Sequence, residues 1–142
     1  MNYEHMTGSN VCEQFNRLKW HDSKLRSFCV SRKGDTDHVV VFLELRGIST
    51  QELAPATLIL EDAAYIKAEL DLEGKYQCSD DISSASCSIE GPLKQELLQS
   101  QLKYSPGALD GYYLFDLFLI PPGGRIQVFA KGFKLKHGDN KS

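Results

Sequence analysis

Gly111-Tyr-Tyr-Leu-Phe-Asp-Leu-Phe-Leu-Ile-Pro-Pro-Gly-Gly-Arg-Ile-Gln-Val-Phe-Ala-Lys-Gly-Phe-Lys-Leu-Lys136 reads as two long strands joined at Pro121-Pro122-Gly123-Gly124. In the first strand Tyr112, Leu114, Phe118 and Ile120 share one face, and Tyr113, Phe115, Leu117 and Leu119 share the other. Only Asp116 interrupts the apolar pattern. A strand apolar on both faces belongs in the middle of a covered sheet, so its second face calls for sheet curvature, a second layer or another subunit. In the second strand Ile126, Val128 and Ala130 fall on even positions, whereas Phe133 and Leu135 fall on odd ones. A period of two changes parity only by taking up an extra residue, which predicts a β-bulge at Lys131-Gly132. The Pro-Pro-Gly-Gly junction reads as a turn with positive φ at Gly123 and Gly124. A phosphate loop would require a helix after the glycines, and a β-rich run follows instead.

Working outward, Asn10 and Glu13 have capping-box spacing, and Val11, Phe15 and Leu18 form one helical stripe. They predict a helix over 11–19. Strands are predicted over 24–32 and 38–46, paired as a hairpin across the turn Gly34-Asp35-Thr36-Asp37. Val39, Val41, Leu43 and Leu45 point one way; the other face is expected to be covered at Val40 and Phe42 and wet at Glu44 and Arg46. Residues 47–55 read as a loop and 56–61 as a short strand. Ala64, Ile66, Ala68, Leu70 and Leu72 alternate with polar residues and Tyr65, which favours a strand ended by Gly74 over the competing helix. Residues 79–88 are small and polar, consistent with one helical turn over 80–85. Pro92, Leu93, Leu97, Leu98 and Leu102 predict a second helix ending before Pro106-Gly107. The order of elements excludes the alternating pattern of a doubly wound parallel sheet. The expected fold is α+β, with two helices on a largely antiparallel, curved or barrel-like sheet of about six strands.

A chain of 142 residues, 42% hydrophobic and 25% charged, is expected to be one globular domain over 1–142, with loose ends at about 1–8 and 138–142. The net charge of −3 lacks the basic face that nucleic-acid binding requires. Lys131, Lys134, Lys136 and Lys141 are interleaved with Phe133 and Leu135 and read as the solvent face of a strand. No segment approaches the roughly 18 apolar residues of a membrane helix, and the polar N-terminus has no signal-peptide core. A cytoplasmic location with reduced thiols is therefore expected. Cys12, Cys29, Cys78 and Cys87 form no zinc spacing and read as buried free thiols. No cofactor is indicated.

Trp20-His21-Asp22-Ser23 is the most suggestive polar cluster. Adjacency argues against a catalytic triad, whose members converge from separate elements. The cluster reads first as a helix-to-strand corner, with Trp20 plugging the core edge and Asp22 and Ser23 bonding nearby backbone amides. A binding or catalytic role for His21 is the sharper alternative. Asp80 and Asp81 read as helix caps; a metal site with His38 rests on no spacing rule. Binding candidates are Trp20, His21, Asp22, Tyr112 and Tyr113, with no catalytic residue assigned.

The Trp20-His21-Asp22-Ser23-Lys24-Leu25 corner, together with the Gly111–Phe133 hairpin and its Pro-Gly-Gly turn, resembles a loose group of small bacterial proteins, some similar to immunity proteins of polymorphic-toxin systems. The resemblance covers about a quarter of the chain and implies a non-enzymatic α+β domain. It implies action by binding a toxin-like protein partner. A small-molecule module or enzyme using the mouth of a curved sheet is the second expectation. A structural homodimer is the third.

Overall fold

The computed structural model describes residues 3–6, 10–47, 52–70, 81–99, 107, 109–120 and 124–138. In chain order these form β1 (Tyr3–Met6), α1 (Val11–Asn16), β2 (Lys24–Lys33), β3 (Thr36–Arg46), β4 (Leu53–Glu61), β5 (Tyr65–Leu70), β6 (Ile82–Ser88), α2 (Pro92–Gln99), β7 (Tyr113–Leu119), β8 (Gly124–Ala130) and β9 (Gly132–His137). The strands make two antiparallel sheets: a five-stranded one ordered β1-β9-β4-β3-β2 and a four-stranded one ordered β5-β8-β7-β6. Among the described residues the fold is thus α+β and antiparallel with two helices. The expectation of one barrel-like sheet of about six strands is corrected, because the strands divide between two sheets that do not close.

The division follows from two bends lying side by side. β4 runs into β5 through Asp62, whose φ of 51° is left-handed. β8 runs into β9 through Lys131. The two bends are stitched together by Lys131 N–H donating to Glu61 C=O at 2.8 Å and Ala64 N–H donating to Phe129 C=O at 2.8 Å. The parity change read at Lys131-Gly132 is real. It is not a bulge within one strand pair, however: it carries the chain from a partnership with β7 and β5 to one with β4 and β1. Strands that switch sheets in this way make the corners of packed sheets.

The core lies between the sheets. Val39, Val41, Leu43 and Leu45 of β3 and Ala56, Leu58 and Leu60 of β4 are buried on one side. Phe115, Leu117 and Leu119 of β7 and Ile126 and Val128 of β8 are buried on the other. α1 sends Val11 and Phe15 into this core, where the Phe15 ring meets Phe115 and Phe133 edge-on, with centroids 5.0 and 5.3 Å away. Such pairs add about 0.5–1.5 kcal/mol each beyond area burial. The second face of β7 is covered by α2: Leu93 and Leu97 pack with Leu109, Leu114 and Phe129 in a separate cluster. That cover stops short of Phe118, which is exposed.

Several local expectations need correction. Residues 82–88 are strand β6, not a helical turn; their small side chains let α1 pack against them while β7 supplies the ladder. The strand expected from residue 56 begins at Leu53, with Pro55 opposite Glu44, so the loop is shorter than expected. Tyr3–Met6, expected to be loose, pairs with β9 as an edge strand. α1 ends at Asn16, and Asn10 makes no side-chain cap, because its backbone is already helical, at φ −88° and ψ −3°, and not in the extended form of a capping residue. Val40, Phe42, Glu44 and Arg46 are all half-buried, so that face has no wet end. The strand expected from Ala64 is present as β5, over Tyr65–Leu70. Gly124 has φ 123°, as a turn glycine should; Gly123, Leu72, Gly74 and Leu102 lie outside the described residues.

Candidate functional site

β6 is the edge of its sheet, and an edge strand presents unpaired peptide groups. Its antiparallel register pairs Ala85 with Leu117 and Cys87 with Phe115. Peptide groups along such a ladder alternate between partner strand and open edge, so Ala85 and Cys87 turn theirs the same way. At Cys87 the edge is capped by a side chain. Asn16 Oδ1 accepts the Cys87 N–H at 2.8 Å, and Asn16 Nδ2 donates to the Cys87 C=O at 3.1 Å. The Asn16 amide thus stands where a neighbouring strand's peptide would.

At the other end of β6 the edge is capped by the Trp20–Ser23 corner. Asp22 N–H donates to Ile82 C=O at 2.9 Å, and Ile82 N–H donates to Ser23 C=O at 2.7 Å. The corner is tight because Asp22 takes φ 67° and Ser23 N–H returns to Trp20 C=O at 3.0 Å. Trp20 is buried, stacked on Phe15 with centroids 4.6 Å apart, and its Nε1–H donates to Phe15 C=O at 2.8 Å. It plugs the core edge.

Between the two caps lies a cleft of about 450 Å³. α1 and the corner form its wall through Asn16, Lys19, His21 and Asp22; Ser83, Ser84 and Ala85 form its floor, and Arg46 closes one side. The edge-facing peptide groups of Ala85 therefore open into it. His21 Nδ1 lies 3.1 Å from Asp22 Oδ2, and both side chains are exposed. Ser23 is fully buried: its hydroxyl donates to Lys19 C=O at 2.9 Å and accepts the Arg46 N–H at 2.9 Å. A hydroxyl so engaged has no path to a substrate, so the three adjacent polar residues make no nucleophile–base pair. The cleft offers hydrogen bonds and mixed charge, the means of binding.

Of the sequence candidates, His21 and Asp22 line the cleft, and Trp20 lines it while serving the core. Tyr112 and Tyr113 do not line it. Tyr112 packs beside the α2 cluster under Lys131, whose Nζ is 5.4 Å from the ring centroid. Tyr113 lines a separate apolar cavity of about 560 Å³ with Cys12, Cys87, Ser88, Ile89 and Glu90. Asn16, Arg46 and Ala85 were not legible as site residues; no local pattern marks a helix-end Asn as a strand cap. His38 accepts the Asp62 N–H at 3.1 Å and Asp81 pairs with Lys24 at 2.5 Å, so the two serve separate structural contacts. Asp80 lies outside the described residues. Among the described residues no group of three or more His, Cys, Asp or Glu is placed to hold a metal, and no helix is long and apolar enough to cross a membrane. The expectation of buried thiols holds at Cys87 but not at Cys29, which is exposed on edge strand β2, nor at half-buried Cys12; Cys78 lies outside the described residues.

Comparison with protein-family models, with curated proteins and with solved structures finds no match to this chain in any of the three.

Proposed function

We propose that this protein is a non-catalytic binding module that takes an extended segment of another protein onto the edge of β6. The observation that carries this reading is the interrupted capping of that edge: Cys87 is closed by Asn16, Ile82 by the Asp22–Ser23 corner, and Ala85 between them opens into the cleft. An extended segment added to a sheet edge gains affinity from peptide hydrogen bonds and specificity from side-chain contacts. The exposed Lys19 favours an acidic side chain or terminal carboxylate in that segment, and Asp22 tempers the preference. The gap is short, so it admits a few residues rather than a full strand. The resemblance of the Trp20–Leu25 corner to toxin-immunity proteins supports a toxin-like partner.

The test is selection of short peptides from a displayed library on the full chain, followed by amide exchange with the selected peptide bound. Protection of the Ala85 amide supports the proposal. Ala85→Pro removes only that edge-facing N–H and leaves the ladder bonds of Ser84 and Ser86 intact. It is expected to weaken binding about tenfold, the worth of one hydrogen bond. Peptides that bind without protecting Ala85, or an unchanged affinity in Ala85→Pro, defeat the proposal.

One observation favours a second reading. His21 beside Asp22 at the mouth of the cleft suits a small polar ligand. A fragment screen by NMR separates the two: shifts confined to His21 and Asp22, with Ala85 unmoved, favour the small molecule. The homodimer reading is checked by light scattering, where a concentration-independent monomer rejects it.

A further inference from the structure

The apolar cavity at the other end of β6 holds a feature that the peptide reading does not use. Cys12 Sγ of α1 and Cys87 Sγ of β6 lie 3.0 Å apart, although 75 residues separate them in sequence. A disulfide requires about 2.05 Å, so closing the pair needs a movement of roughly 1 Å. Cys87 is buried and Cys12 half-buried, and both border the cavity with Ser88, Ile89, Glu90 and Tyr113. We propose that Cys12 and Cys87 are a dithiol that a small-molecule disulfide of the glutathione type converts reversibly to an intramolecular disulfide.

The exposure of the two sulfurs orders the steps. Cys12 loses its proton to solvent, and its thiolate attacks one sulfur of the external disulfide. That S–S bond breaks; its electron pair leaves on the departing thiolate, which takes up a proton. Cys12 is then a mixed disulfide. Cys87 loses its proton and attacks Cys12 Sγ, expelling the second external thiolate, which is protonated in turn. Two protein thiols are oxidised and one external disulfide is reduced to two thiols. Burial, and next the contact with Cys12, push the Cys87 thiol well above its ordinary range. It therefore stays protonated and unreactive toward solvent, which leaves the half-buried Cys12 as the point of entry. The new bond ties α1 to β6, and so joins the wall of the cleft to its floor.

The test uses the full chain carrying Cys29→Ser and Cys78→Ser, equilibrated across ratios of oxidised to reduced glutathione. Both remaining thiols are expected to disappear together, with the mass of a pair of hydrogens lost and the Cys12 and Cys87 peptides linked. The Tm is expected to rise by roughly 5–15 °C and to fall back on addition of dithiothreitol. In Cys12→Ser, Cys87 is expected to remain unmodified. A persistent glutathione adduct on Cys12, two thiols still free in oxidised glutathione alone, or modification of Cys87 in Cys12→Ser would each overturn the proposal. Peptide mapping of the unaltered chain reads the same linkage without any substitution.

Discussion

Arg125 of β8 holds Asp116 of β7 in a two-pronged ion pair on the outer face of the four-stranded sheet, with Nε 2.9 Å from Oδ1 and Nη2 2.6 Å from Oδ2. Asp116 is the residue that breaks the apolar run of β7, and it is nearly buried. Gln127 adds a longer contact to Oδ2 at 3.4 Å, and the guanidinium also lies 4.3 Å over the Phe118 ring. Asp116 foremost raises the Arg125 pKa above its ordinary value. A cation with a raised folded-state pKa contributes stability below its unfolded value and loses it only above, so this pair is insensitive to pH through the neutral range. Arg125→Ala leaves a carboxylate short of donors. Because Arg125 is more than a third exposed, we expect a discounted loss of about 1–2 kcal/mol in urea denaturation. Arg125→Ala combined with Asp116→Asn recovers part of it; an additive double variant shows that the two do not act as a pair.

Gly124 admits no side chain. Its φ is 123°, and a Cβ would lie 2.0 Å from the Glu69 carbonyl oxygen, which belongs to the neighbouring strand backbone. Gly124→Ala is expected to cost about 2–4 kcal/mol from strain and displacement of β5. A thermal midpoint unchanged in that variant would show that β5 does not approach β8 this closely.

Asn16→Ala uncaps the Cys87 peptide. The expected loss is about 1–2 kcal/mol, with faster hydrogen exchange at the Cys87 amide. Asn16→Asp keeps the acceptor for Cys87 N–H and loses the donor to its carbonyl, so exchange at that amide should stay slow. Equal exchange in Asn16→Ala and the unaltered chain contradicts the cap.

The raised pKa of Cys87 makes stability depend on alkaline pH. The unfolded chain releases this proton near pH 8.5, whereas the folded chain retains it. Stability from this group is complete below that pH and falls above it, by at most about 1.4 kcal/mol per pH unit. Denaturation under reducing conditions should show this decline, and Cys87→Ala should flatten it. A decline of the same slope in Cys87→Ala assigns it to other groups.

Alternation alone identified the inward faces of β3 and β4, since consecutive side chains on any strand point to opposite faces; on β7 it showed two apolar faces without ranking them. The same rule located the parity change at Lys131. It could not say whether the extra residue would be absorbed in one pairing or spent on a change of sheet, because that depends on Glu61 and Ala64, distant in sequence. β6 departs from the helical turn expected over 80–85 for a related reason. Ser83 to Ser88 carry little hydrophobic signal, and their strand state comes from pairing with β7 and the close approach of α1. His21 and Asp22 were visible as a polar cluster, yet the peptide edge they border was not.

By itself, then, the sequence determined the antiparallel α+β class, the apolar faces and the turn glycine at position 124, because side-chain period and backbone freedom are local properties. Only the tertiary structure decided that the strands part into two sheets, that Asn16 caps Cys87, and that the sulfurs of Cys12 and Cys87 meet. Each of those joins residues far apart along the chain, and their meeting is set by how whole elements pack.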